Sequence, residues 1–120
     1  MDTDEALLDA RARILADLTA TGAADAVAVD LLENALAERR WWADEWPAGA
    51  GFLAGQVAQD LQDALFDAGV GRWPLCPLCE PETESHELRI SPELGADPVW
   101  LCEESGAVAA DLGALRERGG

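Results

Sequence analysis

The sequence predicts an α+β protein: a small acidic helical bundle of about three helices over residues 1–72, packed on a short β unit over residues 73–120. Three observations carry that prediction. Apolar residues recur at helical spacing in successive stretches of the first part. Five of the six prolines then fall between Pro74 and Pro98, which forbids long helices there. The cysteines, three in all, also lie only in the second part, at Cys76, Cys79 and Cys102.

Taken in order, Asp2, Thr3, Asp4 and Glu5 supply a cap and first-turn acids for a first helix. Its predicted apolar stripe is Leu7, Leu8, Ile14, Leu15 and Leu18, and Thr21-Gly22 is its stop. A second helix is predicted from about Asp25 to Trp42. It turns Val27, Leu31, Leu32, Ala35 and Leu36 inward and sets Glu33, Glu38, Arg39 and Arg40 mostly opposite. The run Pro47-Ala48-Gly49-Ala50-Gly51 breaks the pattern. A third helix near Phe52 to Ala68 directs Leu53, Val57, Leu61, Leu65 and Phe66 inward and ends at Gly69 and Gly71. Helices this short need one another to bury their stripes. Beyond Trp73, residues His86 to Ile90 and Val99 to Cys102 read as short strands with a turn-forming SPELGADP between them. Ala107 to Leu115 reads as a third strand and turn, with a short terminal helix as the alternative.

Charge narrows the partners. The chain carries 8 Arg, no Lys and 24 Asp plus Glu, a formal net charge of −16. Such a field repels phosphate backbones and anionic lipid, so direct nucleic-acid or membrane binding is not expected. The favoured partners are a basic protein surface or cations; the simplest reading of the acidity itself is solubility. No apolar run approaches the roughly 20 residues that span a bilayer. The acidic, amphipathic N-terminal stretch does not read as a secretory signal, so a cytoplasmic chain with reduced thiols is expected.

Three cysteines cannot all pair internally, and metal ligation is the economical explanation. Cys76-Pro77-Leu78-Cys79 is a knuckle whose spacing lets both sulfurs reach one ion while turn N–H groups bond them. Cys102 ends a strand-like run and offers a third thiolate. His86, the single histidine, follows Cys79 across residues 80–85, a loop long enough to fold back over the ion. Cys76, Cys79, His86 and Cys102 thus make a closed set of four ligands for a structural Zn2+. Other readings compete. A thioredoxin-like redox CxxC lacks its βαβ context here. The zinc-deaminase pattern fails in order and spacing, since His86-Glu87 follows the CxxC instead of preceding it. The thiols could be buried without metal, and His86 could be an exposed loop residue, which would leave an open three-cysteine site.

From Trp73 onward the chain resembles the short zinc-ribbon segments of uncharacterised actinobacterial proteins. The resemblance rests on Trp73-Pro74-Leu75-Cys76-Pro77, His86-Glu87-Leu88, Trp100-Leu101-Cys102 and the glycines Gly106 and Gly113 with Ala114-Leu115. It implies a metal-binding, zinc-ribbon-like β unit and assigns no activity.

The 5 tryptophans have two readings. They can be packing between the helical part and the β unit. Alternatively Trp41, Trp42 and Trp46, with Asp44 and Glu45 beside them, form a docking surface for a basic partner, since adjacent Trp41 and Trp42 cannot both enter one core. The helically spaced Asp60, Asp63 and Asp67 read as a solvated face. The leading functional expectation is a protein-interaction or accessory protein in which zinc holds the fold. The alternatives are a zinc enzyme with an open site of three cysteine ligands and an acidic nucleic-acid mimic that occupies a basic protein.

Overall fold

Three helices lead into a three-stranded antiparallel sheet. The computed structural model describes residues 2–79 and 86–116. Helix α1, Thr3–Ala20, opens on Asp2, whose side chain accepts from the Glu5 N–H at 2.8 Å. It stops at Gly22, which takes the left-handed conformation at φ 72°. Helix α2, Ala26–Glu45, is capped in the same way by Asp25, which accepts from Ala28 N–H at 2.9 Å. The Pro/Gly run, predicted as a break, is a 3-10 helix, Pro47–Phe52, that feeds directly into α3, Leu53–Asp67.

The periodicity locates the helices, but the faces differ from the expected stripes. In α1 the buried positions are Ala6, Ala10, Ile14, Asp17 and Leu18. Leu8 is 69% exposed, and Leu7 and Leu15 are half-buried. In α2 the buried set is Ala28, Leu32, Ala35, Leu36 and Ala43, while Val27 lies out in solvent. In α3, Leu53, Val57, Leu61 and Leu65 are buried as expected, and Phe66 is exposed. The physical reason is close approach. Alanines line the helix contacts and let the backbones come together, so the apolar stripe rotates onto them and the bulky residues at its edge swing out. A half-buried ion pair ties α2 to α3: Arg39 donates two hydrogen bonds to Asp60, at 2.6 and 2.9 Å.

The β unit is small. Strands β1 (Arg89–Ser91), β2 (Val99–Leu101) and β3 (Val108–Asp111) pair in sequence order as a meander. The register sets Ile90 against Trp100 and Trp100 against Ala110, with an irregularity between Trp100 and Leu101. Ile90 and Trp100 share the face that meets the helices, and one cluster of buried side chains runs from α1 through α3 to Trp73, Leu88, Trp100 and Leu112. The segment after β2 is strand then turn, not a terminal helix.

Candidate metal centre

The chain builds this site from three short pieces. The arm through Leu75 pairs with Glu87: Cys76 N–H donates to His86 O at 2.9 Å and Leu88 N–H to Pro74 O at 2.8 Å. That ladder carries Cys76 and His86 side by side. The knuckle then turns back, with Leu78 N–H 3.4 Å from Cys76 Sγ, and presents Cys79. The third piece is the turn after β2. Gly106 N–H donates to Cys102 O at 2.7 Å and Cys102 N–H to Ala107 O at 2.9 Å, with Gly106 at φ 76°. Residues 80–85, expected to fold back over the ion, lie outside the described residues.

These pieces bring together all four predicted ligands. Their donor atoms lie within 4.8 Å of one another, close enough to hold one metal ion. Cys79 Sγ is 3.8 Å from Cys76 Sγ and 3.6 Å from Cys102 Sγ. His86 Nε2 is 3.7 Å from Cys79 Sγ and 3.5 Å from Cys102 Sγ. His86 is therefore not an outlying loop residue. Cys76 and Cys102 are buried, Cys79 and His86 partly so. The thiols are electrostatically distinct. Hydrogen bonds from the Ser105 hydroxyl, and next from His86, hold Cys102 down at about 6. The Cys102 sulfur, then burial and Cys76, push Cys79 up to about 12. One thiolate forms readily and its charge opposes the next, until a cation neutralises the cluster. Soft thiolates and an imidazole suit a soft or borderline metal ion.

Behind the cluster, two indoles anchor it to the helices. Trp73, at the root of the knuckle arm, packs edge-on against Trp100, two residues before Cys102, with ring centroids 5.5 Å apart. Trp73 Nε1–H donates to Thr21 Oγ1 at 2.9 Å and Trp100 Nε1–H to Asp17 Oδ2 at 2.8 Å, both at the end of α1. Asp17 is fully buried and also accepts from the N–H groups of Gly113 and Leu115, at 2.7 and 2.9 Å. Burial pushes its carboxyl above the usual range, against the lowering effect of those three donors. From α3, buried Gln62 donates to Trp73 O at 3.1 Å and to Leu88 O at 2.7 Å. Sequence reasoning misses Asp17 and Gln62 as structural anchors. Their signal is a polar residue at a core position: Asp17 continues Ala10 and Ile14, and Gln62 lies between Ala58 and Leu65.

The other predicted residues lie in the helical part. Trp41 is 68% exposed, while Trp42 is half-buried beneath the Arg39 guanidinium at 5.4 Å. Trp46 packs edge-on to Trp42, and Asp44 and Glu45 are exposed.

A family model for a domain of unknown function, DUF8819, matches residues 3–112, which takes in the helices, the cluster and the sheet. The chain belongs to that family. No curated protein and no solved structure matches it. The match shows no zinc-ribbon family for the C-terminal segment. No helix among the described residues is long and apolar enough to cross a membrane.

Proposed function

We propose that this DUF8819 protein is an acidic protein-interaction or accessory protein whose β unit is held by a structural Zn2+ on Cys76, Cys79, His86 and Cys102. The spacing of the ligand atoms carries the reading. Tetrahedral zinc, with bonds of about 2.3 Å to sulfur and about 2.0–2.1 Å to nitrogen, requires sulfurs about 3.8 Å apart and sulfur–nitrogen separations of about 3.6 Å. Four of the six separations sit at those values, 3.6 and 3.8 Å between sulfurs and 3.5 and 3.7 Å from sulfur to nitrogen, and all six lie within 4.8 Å. Four ligands fill the shell, which favours a structural ion over a catalytic one held by three cysteines and open at the fourth position. The ladder from the knuckle to His86 and the second turn at Cys102 also support the ribbon-like reading.

The interaction surface is Trp41 with Trp46, Asp44 and Glu45. A large exposed indole with exposed carboxylates three and four residues further along the same helix fits an apolar anchor with a basic rim on the partner. Purified protein should hold one equivalent of zinc. Cobalt substitution should give the visible bands of a tetrahedral thiolate site, and Cys102→Ser or His86→Ala should diminish them. Metal-free material with ordered C-terminal signals would overturn the zinc reading. A basic partner should dissociate as salt rises and should bind Trp41→Ala weakly; a partner indifferent to both overturns the surface.

A further inference from the structure

We propose that the face formed by α1 and α2 is a self-association surface, on which a second copy of this chain packs as a two-fold dimer. The face holds a groove of about 440 Å3 between the two helices, and none of its lining belongs to the Cys/His cluster. Two ion pairs bridge the groove: Asp4 with Arg40 at one end, at 2.7 Å, and Glu33 with Arg11 at the other, at 2.5 Å. Asp4 and Arg11 lie two turns of α1 apart, about 10 Å. Between the pairs the lining is apolar, with Leu7 and Leu8 from α1 and Leu36 and Ala37 from α2. Leu8 has the highest fractional exposure of the large apolar side chains described, and the small Ala37 is exposed too. A knob and a hole thus lie open in the middle of the groove.

Charge chooses the occupant. The four charged side chains that line the groove sum to zero, in a chain whose net charge is −16. They also alternate. Helix α1 carries the acid at one end and the arginine at the other, and α2 carries them in the reverse order. Like charges therefore lie on the diagonals, and this pattern is its own complement. When a second copy is turned over, about a two-fold axis along the groove or across it, every carboxylate faces a guanidinium. A basic partner would oppose the two arginines, and an acidic one the two carboxylates. The four side chains are accessible, each at least 43% exposed. Arg11 Nε and Arg40 Nη2 bond their own carboxylates, and a fork of five N–H donors reaches a second one as well.

Size sets the strength. The 18 residues of α1 span about 27 Å, and a pair of helices is about 20 Å wide, which gives roughly 500 Å2 on each copy. The total of about 1,000 Å2 meets the lower bound for a specific interface. The dimer, a four-helix arrangement, is therefore weak and reversible, with a dissociation constant on the order of 0.1 mM.

Sedimentation equilibrium of the metal-loaded full chain, from about 10 μM to about 1 mM, tests this. The mass should climb from 12.8 kDa toward twice that value. Raising salt from about 0.02 to about 0.3 M should tighten the dimer at least about three-fold. Screening the repulsion between two chains of −16 outweighs what the exposed pairs lose, the opposite sign from a basic partner on Trp41. Leu8→Glu should weaken the dimer at least about ten-fold. Its urea midpoint at about 5 μM, where both chains are monomers, should match the native one, which excludes unfolding as the cause. The decisive variant exchanges all four charges: Asp4→Arg, Arg11→Glu, Glu33→Arg and Arg40→Glu. It keeps the net charge and both internal pairings, so it should associate with itself. It should refuse the native chain, because like charges then meet at every position. A single 12.8 kDa species at about 1 mM in about 0.3 M salt leaves the face to some other chain and overturns the proposal. So does a dimer indifferent to Leu8→Glu, or an exchanged chain that pairs with the native one as tightly as each pairs with itself.

Discussion

The two halves of this molecule are held together by different means. The helical part has long elements, of 18, 20 and 15 residues, and its order is spread over many alanine and leucine contacts. The β part has strands of 3, 3 and 4 residues, well below the usual five or six. Its order is concentrated in a few strong points: the Cys/His cluster, the paired indoles, and the buried side chains of Asp17 and Gln62. Spread contacts fail gradually; concentrated ones fail at a single residue. The contrast predicts where each substitution is felt.

The largest effect should follow removal of the proposed zinc. Structural zinc contributes on the order of 10–16 kcal/mol of apparent binding energy, comparable to the roughly 5–15 kcal/mol that holds an entire domain. Chelation should therefore release the β part, with a large change in emission from Trp73 and Trp100, while the far-ultraviolet helix signal largely remains. Acidification should act in the same direction, because the ligands must be deprotonated to bind, so metal affinity falls as pH falls. If helix signal and fluorescence are lost together in one transition, the halves form a single cooperative unit and the contrast is broken.

Next in size is Asp17. Asp17→Ala strips the acceptor from one buried and two half-buried donors and should cost about 3 kcal/mol in urea denaturation, far more than an alanine substitution on the outer face of α1. Its titration sharpens the same point. Burial raises the carboxyl above its unfolded value, so the fold holds the protonated form better. That advantage is fully present below the ordinary carboxylate value of about 3.9 and is lost as pH rises through the raised one. The stability of the native chain relative to Asp17→Asn should decline across that window. Metal loss at acid pH affects both proteins alike and drops out of the difference. A constant difference would mean that the three donors balance desolvation, and a rising one that they outweigh it.

What was legible in the sequence divides along the same line. The ligand set could be read because chemistry limits it: three thiols, one imidazole and a two-residue spacer leave few arrangements. Helix number, the cap at the start of α1 and the start of α2 near Asp25 were legible because they are local. The helical faces were not. Counting only large apolar residues rotates the α1 stripe toward Leu7 and Leu8, whereas close packing selects Ala6 and Ala10. The Asp17 anchor was hidden for another reason. Its partners, Trp100, Gly113 and Leu115, lie more than 80 positions away, and no local pattern pairs them.

The smallest expected effect tests the rotated stripe directly. Leu8 and Trp41 look like core residues by type, yet they are 69% and 68% exposed. Replacing either by Gln removes little buried area, so each should change stability by no more than about 0.5 kcal/mol. Leu18→Ala, on the buried face of α1, should cost about 2–5 kcal/mol. The ratio matters more than either number, since errors in the unfolded reference cancel between substitutions on one helix. A Leu8→Gln cost approaching that of Leu18→Ala would mean that α1 sits rotated by about one residue, with Leu8 turned inward. A near-zero cost fixes the rotation and leaves Trp41→Gln free to report on partner binding without a confounding loss of fold.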